Sequence, residues 1–327
     1  MSATVAPDQI LKELAELWVD SGKQEQEGGT GVLRACSMTL LVLAEAGDDT
    51  QSLGETVAML MPEHPARTIV VRLSGQGERS LTERVYSQCW MPFGQRRQIC
   101  CEQVEITVSD AALKDLRSVV LPLAVPDLPL ILWCRSPRLP HMPEFRQIAA
   151  MAQKIVFDSA ASPDPAASIE RAAAVAERGI LLGDLSWTRL TRWREMLAQV
   201  FENQQNLARL PLVSNLEVEW GGSRYAPALY LGAWLRDSLA LMGVHPSLQT
   251  SRVAGDDLLA VRMTGESFTA EFARRDDRMV VTLDGASQCT NLPQPTDYLL
   301  LREELGIVRR DPVFEKTLAS AARLLHP

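Results

Sequence analysis

The residues with the best claim to chemistry stand at the ends of strand-like runs. Arg135 and Ser136 follow LPLILWC (128–134), Asp158 and Ser159 close KIVFDS (154–159), and Ser74 and Gly75 follow RTIVVRL (67–73). Open parallel sheets bind ligands beyond the carboxyl ends of their strands. If these runs are neighbours, Ser74, Gly75, Arg135, Asp158 and Ser159 share one rim, where a guanidinium beside hydroxyls suits a phosphate or carboxylate. The competing reading is structural and preferred: Arg135 pairs with Asp158, and the serines cap helices. Gly75-x-Gly77 in LSGQGERS stands after a strand, as a phosphate-cradling turn would, yet a third glycine is missing and the strand is the second rather than the first. A plain glycine turn is the simpler reading.

Nucleophilic and metal chemistry find less support. The sequence has no GxxxxGK[ST], GxSxG or HExxH. None of the histidines, His64, His141, His245 and His326, has a nucleophile at a recognisable spacing. Cys36, Cys89, Cys100, Cys101, Cys134 and Cys289 form no CxxC pair and have no His at ligand spacing, so neither a metal nor a cofactor is expected. Adjacent strand residues point to opposite faces, so Cys100 and Cys101 read as two packed thiols, and reduced, buried thiols are the expectation throughout.

The densest cluster is GDLSWTRLTRWREMLAQVF (183–201). Projected as a helix, Trp187, Leu190, Trp193, Leu197, Val200 and Phe201 share an apolar half, while Glu195 and Gln199 fall opposite. Arg194 falls inside the apolar arc, so it reads as a structural buried charge that needs a carboxylate or several carbonyls. Asp184 or Ser186 can cap the helix start, and Arg189 and Arg192 make that end cationic. Trp and Arg are enriched at interface hot spots, which makes Trp187, Arg189, Arg192 and Trp193 candidates for partner binding, with a core helix as the competing reading.

Elements that could position these residues follow from periodicity. Leu11, Leu14, Leu17 and Trp18 mark an opening helix, followed by a polar, glycine-rich loop at 21–31. Strands are expected at 32–44, 67–74, 98–108, 128–134 and 154–159, separated by helices near 50–61, 79–90, 110–121, 142–152 and 166–177. That alternation predicts an α/β fold with a mainly parallel, doubly wound, Rossmann-like sheet, in which QICCEQVEITV can be an antiparallel edge. Beyond Pro211 come a strand (212–220), a helix (226–243), three strands (257–264, 267–274, 277–285) with a hairpin turn at Arg275–Asp277, and two helices (296–308, 312–325). An α/β domain at 1–207 and an α+β domain with an antiparallel meander at 208–327 are expected.

Across 327 residues, 46% hydrophobic and 23% charged composition is that of a globular protein, and a net charge of −8 argues against nucleic acid as the main partner. The longest apolar run, 119–134, is broken by three prolines and Asp127, and falls short of the roughly 20 residues of a membrane span. With no signal-peptide pattern in MSATVAPDQILKEL, a cytoplasmic protein without a membrane partner is expected. Self-association is left open.

DLSWTRLTRWREMLAQVF resembles the Asp-Leu-Asn-Trp-x-Arg-Leu-x-x-Trp segment of the glucose-6-phosphate dehydrogenase assembly protein family, OpcA. HPARTIVV, ICCEQVEITV, LPLAVPDLPLILWCRSP and APALYLGAWLRDSL resemble further segments of that family, in the same order. Cys134 stands where the family has the second Trp of a pair, Ser186 where it has Asn, and Arg192 where Pro is common. The resemblance implies a non-catalytic protein that associates with glucose-6-phosphate dehydrogenase in the oxidative pentose phosphate pathway, promoting its active oligomer or activating it allosterically. The alternative from the residues alone is a sugar-phosphate or nucleotide-binding enzyme using the sheet rim.

Overall fold

The computed structural model describes residues 6–26, 31–90, 97–254 and 259–326. Its contacts divide the chain into two compact units, Met1–Phe157 and Asp158–Pro327, a division that falls earlier than the boundary read after residue 207. The first unit runs α1 (Pro7–Gln26), β1 (Gly31–Arg34), β2 (Met38–Glu45), α2 (Thr50–Leu60), β3 (Ala66–Leu73), β4 (Leu81–Trp90), β5 (Arg97–Val108), α3 (Leu116–Leu123), β6 (Leu130–Cys134), α4 (Phe145–Ala149) and β7 (Lys154–Phe157). The second runs α5 (Pro165–Ala176), β8 (Leu181–Asp184), α6 (Leu185–Thr188), α7 (Thr191–Phe201), α8 (Gln204–Leu207), β9 (Val213–Trp220), α9 (Tyr225–Ala240), β10 (Ser247–Arg252), β11 (Leu259–Gly265), β12 (Phe268–Arg275), β13 (Arg278–Leu283), β14 (Ala286–Asn291), α10 (Asp297–Gly306) and α11 (Pro312–Leu324).

In the first unit the strands lie in the order β1-β5-β3-β2-β6-β7, all parallel, with β4 added antiparallel to β5. β2 and β3 are buried along nearly their whole length, the pattern of strands covered on both faces, which is why their centres, LLVLA and IVV, are continuously apolar, while Arg67 and Arg72 toward the ends of β3 are buried in pairs with Glu102 and Glu105. Strand order grows outward in both directions from β2, toward β3 and β5 on one side and β6 and β7 on the other. The α/β, Rossmann-like expectation is met. The topological switch point therefore falls between β2 and β6.

Four sequence expectations change here. The run read as a helix at 79–90 is β4, paired with β5 from Leu81 opposite Val108 to Trp90 opposite Ile99. Leu81, Val85 and Cys89 recur every four residues, and because four is even, that spacing keeps them on one face of a strand as well as of a helix. With β4 in place Cys89 lies directly opposite Cys100, and the two form a disulfide, so Cys100 is not the packed thiol expected of it. Cys101 and Cys134 are buried thiols as read, and burial pushes their pKa values up to about 11 and about 12. The single strand expected over 32–44 breaks at Ala35–Ser37 into β1 and β2, which pair with different neighbours. The helix α1 continues into the expected loop, whose residues 27–30 lie outside those described.

The second unit holds a sheet in the order β10-β9-β11-β12-β13-β14. β9 and β10 are parallel, joined through α9, and the remaining pairs form the expected antiparallel meander. Asp276 has positive φ in the turn between β12 and β13, and Asp284 and Gly285 both do in the turn before β14, the geometry of tight hairpins. Leu216, Val218, Val261, Met263, Ala270, Phe272 and Met279 line the buried face, against which Gly232 of α9 packs beside Leu248 and Val218. On the opposite face Arg262 bridges Glu217 and Glu271 across three strands.

Candidate functional site

The 183–201 segment is two helices. β8 delivers Asp184, fully buried, to the N-cap of α6, where its Oδ1 accepts from the backbone N–H of Ser186 (2.9 Å) and of Ser159 (3.0 Å). Its Oδ2 accepts from the hydroxyl of Tyr230 on α9 (2.8 Å). Burial, with the charge of Asp158 adding to it, raises the Asp184 pKa to about 6. Ser186 Oγ donates to Asp158 Oδ1 (2.8 Å) and accepts from the N–H of Ala160 (3.0 Å). Arg189, at the C-cap of α6, closes a bidentate pair with Asp158 at 2.8 and 2.7 Å. Burial opposes the charge of Arg189, and the hydrogen-bonded carboxylate of Asp158 overcomes it, so its pKa is raised.

Neighbouring residues tie this turn to the closing helices. Thr188 Oγ1 donates to Glu304 Oε1 of α10 (2.6 Å), and the Trp187 ring packs tilted on Phe314 of α11 and edge-on to Tyr230, with centroids 6.0 and 6.2 Å apart. Trp187 and Trp193 are 2% and 3% exposed. As partner-binding candidates both are corrected, because their rings are already covered by the unit's own core. Arg189 is committed to Asp158 in the same way. Arg192 is exposed, beside Glu195 at 3.8 Å, so of the four candidates it is the one presented to solvent.

Arg194 differs from its expected role. It is half-buried rather than buried, and its guanidinium lies 3.7 Å above the Trp187 ring centroid while Nη2 donates to Thr191 Oγ1 (2.9 Å). No hydrogen-bonded carboxylate meets it among the described residues, and Nε is buried without a hydrogen-bond partner among them. Burial lowers its pKa, opposed at longer range by Asp311, Glu303, Glu195 and Glu304. The indole face takes the place of the expected anion.

The rim is divided between the units. Asp158 and Ser159 belong to the second, at the turn just described, whereas Ser74, Gly75 and Arg135 belong to the first. Within the first unit Arg135 pairs with Asp48 (3.3 Å), and within the second Asp158 pairs with Arg189. Ser74 donates through N–H and Oγ to the Val108 carbonyl (2.9 and 3.2 Å), and Gly75, with φ of 81°, accepts from the N–H of Asp110 (3.0 Å). Gly75 is thus a turn residue tying β3 to the end of β5.

Sequence reasoning missed the ion pairs that fill the switch point. Glu45, the last residue of β2, takes Arg138 Nε on both carboxylate oxygens (3.0 and 2.9 Å) and the hydroxyl of Ser136. Arg138 Nη1 reaches Asp110 at 2.8 Å to each oxygen. Burial works against the charge of Arg138, and Asp110 and Glu45 together raise its pKa. The available signal was a carboxylate following the apolar run 40–44, which needs a partner at that edge. Among the described residues no group of His, Cys, Asp or Glu is placed to hold a metal ion, and no helix is long and apolar enough to cross a membrane.

Fold and site define a Rossmann-like α/β protein carrying a second unit with a mixed sheet. A dehydrogenase from Chromobacterium violaceum superposes with a TM-score of 0.50 at 11% identity, covering 88% of this chain and 94% of that one, which is a likeness of fold. The chain belongs to the OpcA family: residues 57–174 match the glucose-6-phosphate dehydrogenase subunit N-terminal domain and residues 180–318 the C-terminal domain. A protein of Synechococcus elongatus named for OpcA and the OxPP cycle is 27% identical over 225 residues, covering 68% of this chain and 47% of the relative. A Nostoc punctiforme protein of the same name is 25% identical over 65% of this chain and 44% of its own length. The matched region thus spans about half the length of these relatives.

Proposed function

We propose that this protein is a non-catalytic assembly factor or allosteric activator that binds glucose-6-phosphate dehydrogenase and promotes its active oligomer in the oxidative pentose phosphate pathway. The observation that carries the reading is the pair of family matches, which together take in most of both units. The geometry agrees with it: the charged groups at the strand ends are paired with one another, in arrangements that hold loops together. An activator must bind the active form of its partner more tightly than the inactive form, by the free energy of the shift it produces. Arg192 is our candidate contact on the 183–201 segment, since its neighbours in the motif face inward.

The test mixes purified protein with the dehydrogenase and follows size-exclusion profile and steady-state kinetics. Co-elution with a shift toward the larger dehydrogenase oligomer, or a lowered apparent KM, is the expected result. No co-elution and unchanged kinetics would remove the proposal.

A further inference from the structure

The topology of the first unit implies a dinucleotide. In doubly wound sheets the pyrophosphate lies at the switch point, against a glycine-rich turn whose backbone N–H groups and following helix N-terminus face the ligand. Here that turn joins β2 to α2 and reads Glu45-Ala46-Gly47-Asp48-Asp49.

The residues present do not fit the group. Asp49 caps α2, its side chain taking the Gln51 N–H (2.9 Å) that would face a phosphate. Ala46 N–H is bonded to the Leu73 carbonyl (3.0 Å), and across the crevice Arg135 and Ser136 N–H both bond the Leu43 carbonyl (2.9 and 3.1 Å). The φ of Gly47 is not in the left-handed region, so the turn does not require a glycine there. Glu45, Asp48, Asp49 and Asp110 put four carboxylates around the opening, against the guanidiniums of Arg135 and Arg138; Arg72, whose Nη1 reaches the Asp48 carbonyl (3.4 Å), is neutralised by Glu105. Arg138 spans from the end of β6 past Glu45 of β2 to Asp110 beyond β5.

We infer that the switch-point crevice is sealed by these ion pairs and takes no dinucleotide or free pyrophosphate, the Glu45–Arg138–Asp110 strap joining the strand ends in the place a cofactor would occupy. An anion entering here meets a net negative rim. It meets an Arg138 whose Nε is already held by Glu45 and whose Nη1 is held by Asp110, with only the buried Nη2 unbonded, so its charge is shared with two carboxylates before any ligand arrives. The first unit then serves as a scaffold, and any nucleotide response of an assembly containing this chain originates in its partner. The inference does not depend on which partner that is.

The test titrates the intact protein with NADP+, NADPH, NAD+ and inorganic pyrophosphate by calorimetry, in parallel with thermal unfolding. Expected are no saturable heat and no rise in Tm up to ~5 mM ligand, a concentration that would reveal even millimolar affinity. The variant Glu45→Gln/Asp110→Asn should unfold at lower temperature than wild type, or fail to fold, because Arg138 keeps its charge and loses both partners. Saturable binding of any of the four ligands to wild type would overturn the inference. So would a double variant as thermostable as wild type, which would show that no strap holds the strand ends.

Discussion

Replacing Arg189 by Met tests whether the family's most recognisable segment is a clasp. Arg189 and Asp158 are each 18% exposed and meet through two parallel hydrogen bonds, so the substitution leaves Asp158 half-satisfied, with only Ser186 Oγ and the Ala160 N–H still on its Oδ1. Breaking a largely buried pair from one side costs ~3–5 kcal/mol. The two remaining bonds place the expected loss near the lower end, about 3 kcal/mol at neutral pH. Asp158 also adds to the rise in the Asp184 pKa, and Arg189 lies close enough to couple to Asp184, so the lost cation should raise the Asp184 carboxyl further and make the variant relatively more stable in mild acid. Arg189→Met/Asp158→Asn removes both charges together and should recover much of the loss. Urea unfolding of wild type, the single variants and the double variant, followed by tryptophan fluorescence, gives the coupling directly. A coupling below ~0.5 kcal/mol, or an Arg189→Met variant as stable as wild type, would refute the clasp.

Three further outcomes are expected. Asp184 has a folded pKa near 6 against an ordinary 3.8, so the fold takes up a proton between about pH 4 and 6; a raised carboxyl favours the folded state in acid and costs stability as pH rises through that window. About two units at ~1.4 kcal/mol each set an upper bound of ~3 kcal/mol, which Asp184→Asn should remove, flattening the stability profile between about pH 4 and 6; an unchanged slope there would contradict this. Reducing the Cys89–Cys100 disulfide, whose ends are 11 residues apart, should lower stability by ~2–3 kcal/mol, read as a drop in Tm in reductant that Cys89→Ser reproduces without it. Arg192→Glu, at an exposed position, should leave stability within ~0.5 kcal/mol while weakening co-elution with the dehydrogenase; undiminished association would remove Arg192 as a contact.

The parallel sheet was legible because β2 and β3 are buried on both faces and their central residues, 40–44 and 69–71, are apolar without a break, and the meander because its buried face alternates. β4 was not, since Leu81, Val85 and Cys89 satisfy both periodicities and only pairing with β5 decides between them. β10 was missed because SLQTSR lies at the sheet edge with little of it buried, leaving no apolar pattern to read. The helical wheel found the inward side of Trp187, Trp193 and Leu197, but could not foresee the break at Arg189–Leu190, which turns Arg189 back toward Asp158. The pairs of Arg138 and Arg135 were out of reach for a different reason: Glu45 and Asp48 precede them by some ninety residues, and only strand order brings them together.

The clasp also bears on where the second compact unit begins. The family's N-terminal match runs to residue 174 and its C-terminal match begins at 180, yet Asp158 and α5 fall within the second compact unit, and α5 packs on α9 and α11. A fragment started at residue 180 would carry Arg189 without its carboxylate, Asp184 without the Ser159 N–H, and two helices stripped of a neighbour. One started just ahead of Asp158 keeps all three. The boundary by which the family is recognised and the boundary between the compact units are therefore different places, separated by one turn and one helix.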